Sequence, residues 1–363
     1  MIYLDYQATT PLATEALDAM LPWLRDQHAN PHSAHAPGRA AAAAVEVARA
    51  RVAALLPPGG TVSFTSGATE ALNWAIKGMT GPIVTLATEH AAVLDTVAAE
   101  RTTGREVTIL PVRPDGLVDL EQARAAVRPG TGLVAAMLVN NEIGVIQPAA
   151  ELAALAHAAG ALMLCDAVQG YGRLEIPHAC DLVAISAHKI HGPKGIGALW
   201  IREGVTLRPL LHGGGQEKAG RSGTLSPALA AGFGVAAKLA KERAGEDAEH
   251  VRRLSDVARA RLGSDWTLNG SPDQRYPGNL NICRPGLDVA RLMSELRDIA
   301  FSAGSACASG SGRPSHVLSA IGLTDAEARS SIRIGFGRCT TREELLIALD
   351  RIEAAAAAQR IAA

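Results

Sequence analysis

The first two-thirds of the chain alternate between short, continuous apolar runs and longer segments with apolar residues at helical spacing. The helical pattern covers residues 37–56 and about 68–77, on either side of the run TVSFT at 61–65. Further apolar runs lie at 82–87, 133–139, 161–165, 182–186 and 196–201. Continuous apolar runs suit strands that are buried on both faces. The pattern therefore predicts a largely parallel sheet covered by helices, which is an α/β domain.

The pattern changes after Pro227. Residues 228–262 are mostly helix-forming, with interruptions expected at Gly232, Gly234 and the polar stretch KERAGEDAEH. Beyond them, strands are predicted at 266–268, 279–283 and 331–336, and helices at 289–296 and 342–358. This second pattern predicts a smaller α+β unit. We expect a large domain over residues 14–245 and a small domain formed by residues 1–13 and 246–363.

Composition excludes several classes of protein. The 363 residues carry 35 basic and 36 acidic side chains, a balance that argues against a general nucleic-acid-binding surface. No apolar run approaches the roughly 20 residues that span a bilayer, and the start, MIYLDYQATTPL, lacks the basic and apolar regions of a signal peptide. Five cysteines without a CxxC pair disfavour a disulfide framework and a zinc site. We therefore expect a cytoplasmic protein with no membrane, nucleic-acid or metal partner.

Two segments place small or acidic residues where α/β folds bind ligands. SGATEALNWAIKG, residues 66–78, lies at a strand-to-helix junction whose backbone N–H groups favour a phosphate. Ser66 or Thr69 there could instead cap the helix. Asp166 follows the buried run ALMLC, at the carboxyl end of a predicted parallel strand. A helix cap or a loop acid is the alternative for Asp166.

A third segment, SAHKIHGPKGIGALW at residues 186–200, carries a lysine between two histidines and before a Gly/Pro-rich turn. A lysine at a strand end can form a Schiff base with an aldehyde cofactor. The histidines could ligate a metal, but no carboxylate or cysteine lies beside them at zinc spacing. The order of a phosphate-site candidate, then Asp166, then Lys189 resembles that of pyridoxal phosphate (PLP) enzymes of the aspartate-aminotransferase fold.

A longer series of motifs resembles the group I cysteine desulfurases, from about Tyr3 to the region of Arg342. The resemblance implies the PLP-dependent transferase fold, with a large, mostly parallel domain and a smaller α+β domain. The motifs are, in order, LDYQATTP, NPHSAH, FTSGATEALNWAIKG, TEHAAVLDT, VNNEIGVIQP, SAHKIHGPKGIGALW, HGGGQEKAGRSGT, SAGSACAS and SSIRIGFGR.

The resemblance assigns roles around a PLP cofactor. Lys189 would be the Schiff-base lysine and general base, and Asp166 would keep the pyridine nitrogen protonated. Gln169 would hydrogen-bond the ring hydroxyl, while His90 would stack on the ring and assist proton transfers. The residues implied for the phosphate are Ala68, Thr69, Ser186, His188 and, supplied by the partner subunit of a homodimer, Thr224.

Further roles concern the substrate, L-cysteine. Asn141 and Arg333 would anchor its carboxylate, with Asn30 as a further contributor. Arg333 suits this role because its planar guanidinium binds a carboxylate through two parallel hydrogen bonds.

Cys307 would be the nucleophile that takes the sulfur as a persulfide. Its surroundings, SAGSACASGSGRPSH, are small and polar, as in a surface loop. The loop departs from many relatives by carrying Ala303 and Ala308 in place of hydroxyl residues. For Cys339 the role stays open, with a structural role favoured. Buried structural positions are expected for Cys165, Cys180 and Cys283.

The implied activity converts L-cysteine to L-alanine and passes the sulfur to an acceptor protein, such as an iron–sulfur scaffold or a sulfur carrier for cofactor or tRNA thiolation. Contact of the Cys307 loop with an iron–sulfur cluster is a further expectation. The chain ends soon after its last predicted helix, whereas relatives serving the housekeeping scaffold often have a longer tail. Three alternatives remain open: a selenocysteine lyase, a transaminase of the same fold and a non-catalytic sulfur-relay subunit.

Overall fold

The computed structural model describes residues 1–218, 220–304 and 315–361. The strands are β1 (Ile2–Tyr3), β2 (Gly60–Thr65), β3 (Ile83–Leu86), β4 (Val107–Leu110), β5 (Leu133–Met137), β6 (Leu162–Asp166), β7 (Leu182–Ser186), β8 (Gly197–Arg202), β9 (Thr267–Leu268), β10 (Asn279–Cys283), β11 (Ile299–Ala300), β12 (Ser302–Ala303) and β13 (Ser331–Gly335). The helices are α1 (Thr14–Arg25), α2 (Ala36–Ala53), α3 (Ala68–Gly78), α4 (Ala91–Thr102), α5 (Leu120–Ala126), α6 (Ala149–Ala158), α7 (Pro227–Glu242), α8 (Ala244–Arg261), α9 (Val289–Glu295), α10 (His316–Ala320), α11 (Asp325–Arg329) and α12 (Arg342–Ile361).

A seven-stranded sheet in the order β2-β8-β7-β6-β5-β3-β4 forms the centre of the larger unit. Strands β3 to β7 are mutually parallel, and β8 runs antiparallel to both of its neighbours. The predicted, largely parallel sheet is therefore confirmed. Strand β5 shows why its sequence is apolar throughout. Val134 and Ala136 face one core with α2, α6 and α7, whereas Leu133 and Ala135 face a second core with α3 and α4.

The helical region after Pro227 differs from the prediction at its glycines. Helix α7 runs through Gly232 and Gly234 without interruption, and the chain breaks only at Arg243, between α7 and α8. The reason is packing. A Cβ on Gly234 would lie 2.7 Å from the Cα of Ala48 in α2. The glycine thus lets two helices approach closely, and that packing outweighs its low helix propensity.

The smaller unit contains a four-stranded sheet in the order β12-β13-β10-β9. Helix α12 contacts α8 and α9, and buried residues of these three helices share one hydrophobic core with β10 and β13. The N-terminal segment joins this unit, because β1 pairs in parallel with β11. Strand β10 begins and ends where it was predicted. The domain boundaries at residues 13 and 245 stay predictions. Among the described residues, no helix combines the length and the apolar character needed to cross a membrane.

Candidate active site

A cavity of about 520 Å³ opens at the edge of the large sheet where the parallel strands end. Strands β5, β6 and β7 end there at Met137, Asp166 and Ser186, and all three residues line the cavity. The topology thus brings distant motifs to one place. The cavity is lined by ten of the residues singled out from the sequence: Ala68, Thr69, His90, Asn141, Asp166, Gln169, Ser186, His188, Lys189 and Arg333.

Lys189 ends a single turn of 3-10 helix that follows β7. Its Nζ donates to the carbonyl oxygens of Gln7 and Ala8, at 2.5 and 2.8 Å. Burial, together with the positive charges of Arg173 and Arg333, lowers the pKa of Lys189 to about 8. About a tenth of the side chain is therefore the neutral amine at pH 7, far more than for an ordinary lysine, and the neutral amine is the nucleophilic and basic form.

Asp166 and His90 are two further titratable groups that line the cavity. Asp166 is 6% exposed, and its Oδ1 accepts a hydrogen bond from the Val168 N–H at 3.0 Å. Burial raises the pKa of Asp166, and the positive charges of His90 and Lys189 act against this rise. For His90 burial has the opposite effect, because it lowers the pKa of the imidazole, whereas the negative charge of Asp166 raises it. A cationic group beside Asp166 would therefore be stabilised by a carboxylate in a dry environment.

Helix α3 points its N-terminus into the cavity. Its N-cap is Gly67, which has no side chain to cap the helix, and the Ser66 backbone N–H bonds the Glu70 carboxylate at 2.7 Å. The helix-cap alternative for Ser66 and Thr69 is therefore not what the structure shows. Thr69, Ser186 and His188 lie around the same end of the cavity. Free N–H groups and hydroxyls at a helix N-terminus favour a phosphate.

Gln169 and Arg173 hold the cavity residues in place by hydrogen bonds. Arg173 was not singled out from the sequence. Gln169 Nε2 donates to the Gln7 carbonyl at 2.9 Å, the same oxygen that accepts from Lys189. Arg173 donates to the Gln169 Oε1 at 3.0 Å and to the Lys189 carbonyl at 2.7 Å, and stacks over Tyr276. No local sequence signal pointed to Arg173.

Arg333, which is 1% exposed, faces the cavity from β13 of the smaller unit. Its Nη1 donates to the Asn141 carbonyl at 3.0 Å, and its Nη2 pairs with Asp5 at 2.7 Å. Its Nε is buried and has no hydrogen-bond partner within the described part of the chain. The guanidinium is thus fixed in orientation, and its Nε–H is a donor that a further acceptor can use. Asp5 is a second residue that the sequence did not single out.

Two predicted residues lie outside the cavity. Asn30 is exposed, and its Oδ1 accepts from the His32 N–H in a local turn. The expected contribution of Asn30 to the site is therefore not seen in this chain. Thr224 is also exposed and does not line the cavity.

The cysteines differ among themselves. Cys307 lies outside the described residues. Cys165, Cys180 and Cys283 are buried free thiols, as predicted, whereas Cys339 is exposed, so that burial gives no support to a structural role for it. Within the described residues, no group of three or more His, Cys, Asp or Glu side chains is arranged to hold a metal ion.

The donor set fits PLP. The cavity combines an amine that can bond the cofactor aldehyde (Lys189), a buried carboxyl that can face a pyridinium nitrogen (Asp166) and an uncapped helix N-terminus for the phosphate. These three features are those expected of a PLP-dependent enzyme of the aspartate-aminotransferase fold.

Comparisons with known proteins point to the same class of enzyme. Residues 2–347 match the family described as aminotransferase class V. The mitochondrial cysteine desulfurase of Saccharomyces cerevisiae is 48% identical over 360 residues, which are 95% of this chain and 72% of the yeast protein. The cysteine desulfurase IscS of Rickettsia bellii is 44% identical over 361 residues, covering 95% and 88%. A solved structure described as a NifS-like protein superimposes with a TM-score of 0.90 at 34% identity, covering 97% and 98%. The chain belongs to the cysteine desulfurase family of class V aminotransferases.

Proposed function

We propose that this protein uses PLP to convert L-cysteine to L-alanine and that Cys307 receives the sulfur. The observation that carries this proposal is that one cavity is lined by Lys189, Asp166 and His90 and also by Arg333 and Asn141. The first three residues supply proton transfer and cofactor binding. The last two supply recognition of an amino-acid carboxylate, with Asn141 from the loop after β5 and Arg333 from the smaller unit.

Lys189 would bond the cofactor aldehyde and, once released, carry the Cα proton. The cofactor supplies an electron sink that stabilises negative charge at the substrate Cα. Asp166 would keep that sink strong by holding the ring nitrogen protonated, and Gln169 would orient the ring hydroxyl. Since the pKa of Lys189 is about 8, its amine can both accept and return a proton near neutral pH.

Arg333 would hold the substrate carboxylate. Its Nε is a donor without a partner among the described residues, and the Asp5 and Asn141 contacts fix the plane of the guanidinium. Asn141 lines the cavity beside it. Together they would hold the amino acid by its carboxylate in the cavity that Lys189 also lines.

The sulfur step would be a displacement at sulfur. The Cys307 thiolate attacks the sulfur of the substrate, an S–S bond forms, and the bond between that sulfur and the substrate Cβ breaks. The electron pair stays with the substrate carbon skeleton, which gains a proton and leaves as alanine. Cysteine plus enzyme thiol thus gives alanine plus enzyme persulfide, with atoms and electrons balanced.

The finer expectations extend this proposal. The persulfide would pass to an acceptor protein, such as an iron–sulfur scaffold or a sulfur carrier, and the enzyme would act as a homodimer. The cytoplasmic location expected from the sequence stays a prediction, because one of the relatives is described as mitochondrial.

The test is one turnover of purified, PLP-loaded protein with sulfur-labelled cysteine, followed by mass spectrometry of the chain and measurement of alanine. We expect one alanine for each persulfide and the label on Cys307. In Cys307→Ala both products should fall to background, whereas Cys283→Ala, which removes a buried thiol outside the cavity, should retain them. A label on Cys339, a keto acid instead of alanine, or turnover of selenocysteine alone would contradict the proposal.

A further inference from the structure

The loop after β5 that carries Asn141 is held by the smaller unit at three successive carbonyl groups, those of Asn141, Glu142 and Ile143. A hydrogen bond from a side chain to a backbone carbonyl restrains the backbone at that residue. Since all three donors come from the smaller unit, this loop is one of the places where the two units are joined beside the cavity. The bonds are Arg333 Nη1 to the Asn141 oxygen at 3.0 Å, Asn281 Nδ2 to the Glu142 oxygen at 3.1 Å, and Arg275 Nη2 to the Ile143 oxygen at 2.9 Å.

Glu142, at the centre of this loop, bonds the C-terminal flank of the segment 305–314, in which Cys307 lies, and shares the donor Asn281 with the N-terminal flank. On the C-terminal side its Oε2 accepts the hydroxyl hydrogen bond of Ser315. On the N-terminal side the amide of Asn281 donates to the Glu142 carbonyl and, at 3.4 Å, to the Gly304 carbonyl. The carboxyl of Glu142 thus holds the C-terminal end of the segment that carries the nucleophile, whereas Asn281 holds its N-terminal end.

The carboxyl of Glu142 is buried, and its described hydrogen bond is to Ser315 rather than to a residue that lines the cavity. It is 2% exposed and does not line the cavity. Burial raises the pKa of Glu142, and the Ser315 hydroxyl and the positive charges of His316 and Arg333 oppose that rise. Ser315 in turn accepts from the Leu318 N–H at 3.1 Å and so begins helix α10. A buried carboxyl with these partners forms a rigid link.

We propose that Glu142 is a positioning residue for sulfur transfer, whose carboxyl, through Ser315, fixes the C-terminal end of the Cys307 segment relative to the loop that carries Asn141. The inference rests on the proposed function, because it concerns the step in which Cys307 attacks the substrate sulfur. A nucleophile displaced by about 1 Å loses up to about 100-fold in rate. Proton transfer between Lys189 and the substrate Cα does not involve this link.

The experiment measures the two steps separately in the PLP-loaded enzyme. Exchange of the Cα hydrogen of L-alanine with solvent deuterium reports proton transfer, and arrival of labelled sulfur on Cys307 in a single turnover reports sulfur transfer. In Glu142→Ala, sulfur transfer should slow about tenfold, the rate equivalent of one strong hydrogen bond. The exchange rate should change by less than about twofold. Glu142→Gln keeps an acceptor for Ser315 and should recover most of the lost rate.

Ser315→Ala should give the same selective loss, and the double variant with Glu142→Ala should lose no more than either single variant. Thr324→Ala is the matched control. Thr324 caps α11 by the same kind of bond, from the Glu327 N–H at 3.3 Å, and has no link to Glu142. Additive losses, or parallel losses of exchange and sulfur transfer, would overturn the proposal. If Glu142→Ala does not fold, Ser315→Ala decides. An absence of persulfide in the wild type would instead contradict the proposed function.

Discussion

Burial disfavours the charged form of an amine, and at Lys189 this effect has a consequence for stability. The pKa is about 8 in the folded chain and 10.5 in the unfolded chain. Between these values the unfolded chain binds more protons than the folded chain, so the free energy of unfolding rises with pH in this window. Below pH 8 both states bind the proton, and the unfavourable burial of the ammonium is fully present.

We therefore expect cofactor-free Lys189→Met to be more stable than cofactor-free wild type at neutral pH. The difference should shrink as the pH rises through about 8 toward 10.5, because the wild type regains stability there. Urea unfolding of both proteins over this pH range measures the difference directly, and comparison of the two cancels other titrating groups. A difference that does not change with pH would contradict the proton affinity inferred for Lys189.

The sequence predicted those site residues that lie at strand ends within a motif, such as Asp166 and Lys189. It did not predict Asp5 or Arg173. The Asp5–Arg333 pair joins residues 328 positions apart, and Arg173 acts on the Lys189 backbone 16 positions away. Contacts of this kind come from tertiary packing, which leaves no local pattern in the chain. Asn30 shows the reverse case, since a motif match alone did not place it in the cavity.

At the scale of elements, prediction succeeded where burial dictates composition. Strands β5, β7 and β10 are buried along their whole length and were located within two residues. Strand β4 is only partly buried at the sheet edge, and it was not located. The five-residue helices α10 and α11 are too short to show a helical period. The continuity of α7 was missed because helix propensity is local and helix packing is not.

The glycines of α7 lead to a prediction about packing. Alanine gains about 1 kcal/mol over glycine in a helix interior, but overpacking costs about 1–3 kcal/mol. A Cβ on Gly234 meets the backbone of Ala48, which cannot move aside, whereas a Cβ on Gly232 meets the flexible side chain of Met20. Gly234→Ala should therefore lower the free energy of unfolding by about 1–2 kcal/mol, and Gly232→Ala by less.

Gly245 in the first turn of α8 is the control for this series, because nothing lies within 4 Å of a Cβ built there. Gly245→Ala should gain about 0.5 kcal/mol from helix propensity alone. Denaturant unfolding of the three variants gives the order. Equal effects of Gly234→Ala and Gly245→Ala would show that close packing of α7 on α2 does not require the glycine.

For the whole molecule, the N-terminal segment connects parts that are far apart in sequence. Leu4 bonds Ala300 and Gly335 of the smaller unit, Gln7 Nε2 donates to the Gly278 carbonyl at 2.8 Å, and the Gln7 carbonyl accepts from Lys189. The active-site lysine is therefore held by a strand-and-turn segment that belongs to the smaller unit. Periodicity cannot reveal such a role, because β1 has only two residues.

The position of Thr224 bears on whether the protein assembles as a homodimer. Thr224 lies three residues after Arg221, whose Nε bonds Glu70 in the first turn of α3 at 2.9 Å. Although this anchors the segment near the phosphate end of the cavity, Thr224 itself is exposed and outside the cavity of its own chain. A residue in that position is available to a second copy of the chain. We propose that it completes the phosphate site of the partner in a homodimer.

Mixing two variants tests this arrangement. Thr224→Val removes a hydroxyl that would donate a hydrogen bond to the charged phosphate of PLP, so the PLP affinity of that variant should fall about tenfold. Lys189→Ala cannot bond the PLP aldehyde. If Thr224 acts across the interface, the mixed dimer contains one site with Lys189 from the first chain and Thr224 from the second, and another site with both lesions. Titration of the mixture with PLP should then show sites of wild-type affinity, up to one for each mixed dimer. If Thr224 acted within its own chain, no site in the mixture would hold both intact residues, and the lowered affinity of Thr224→Val would persist.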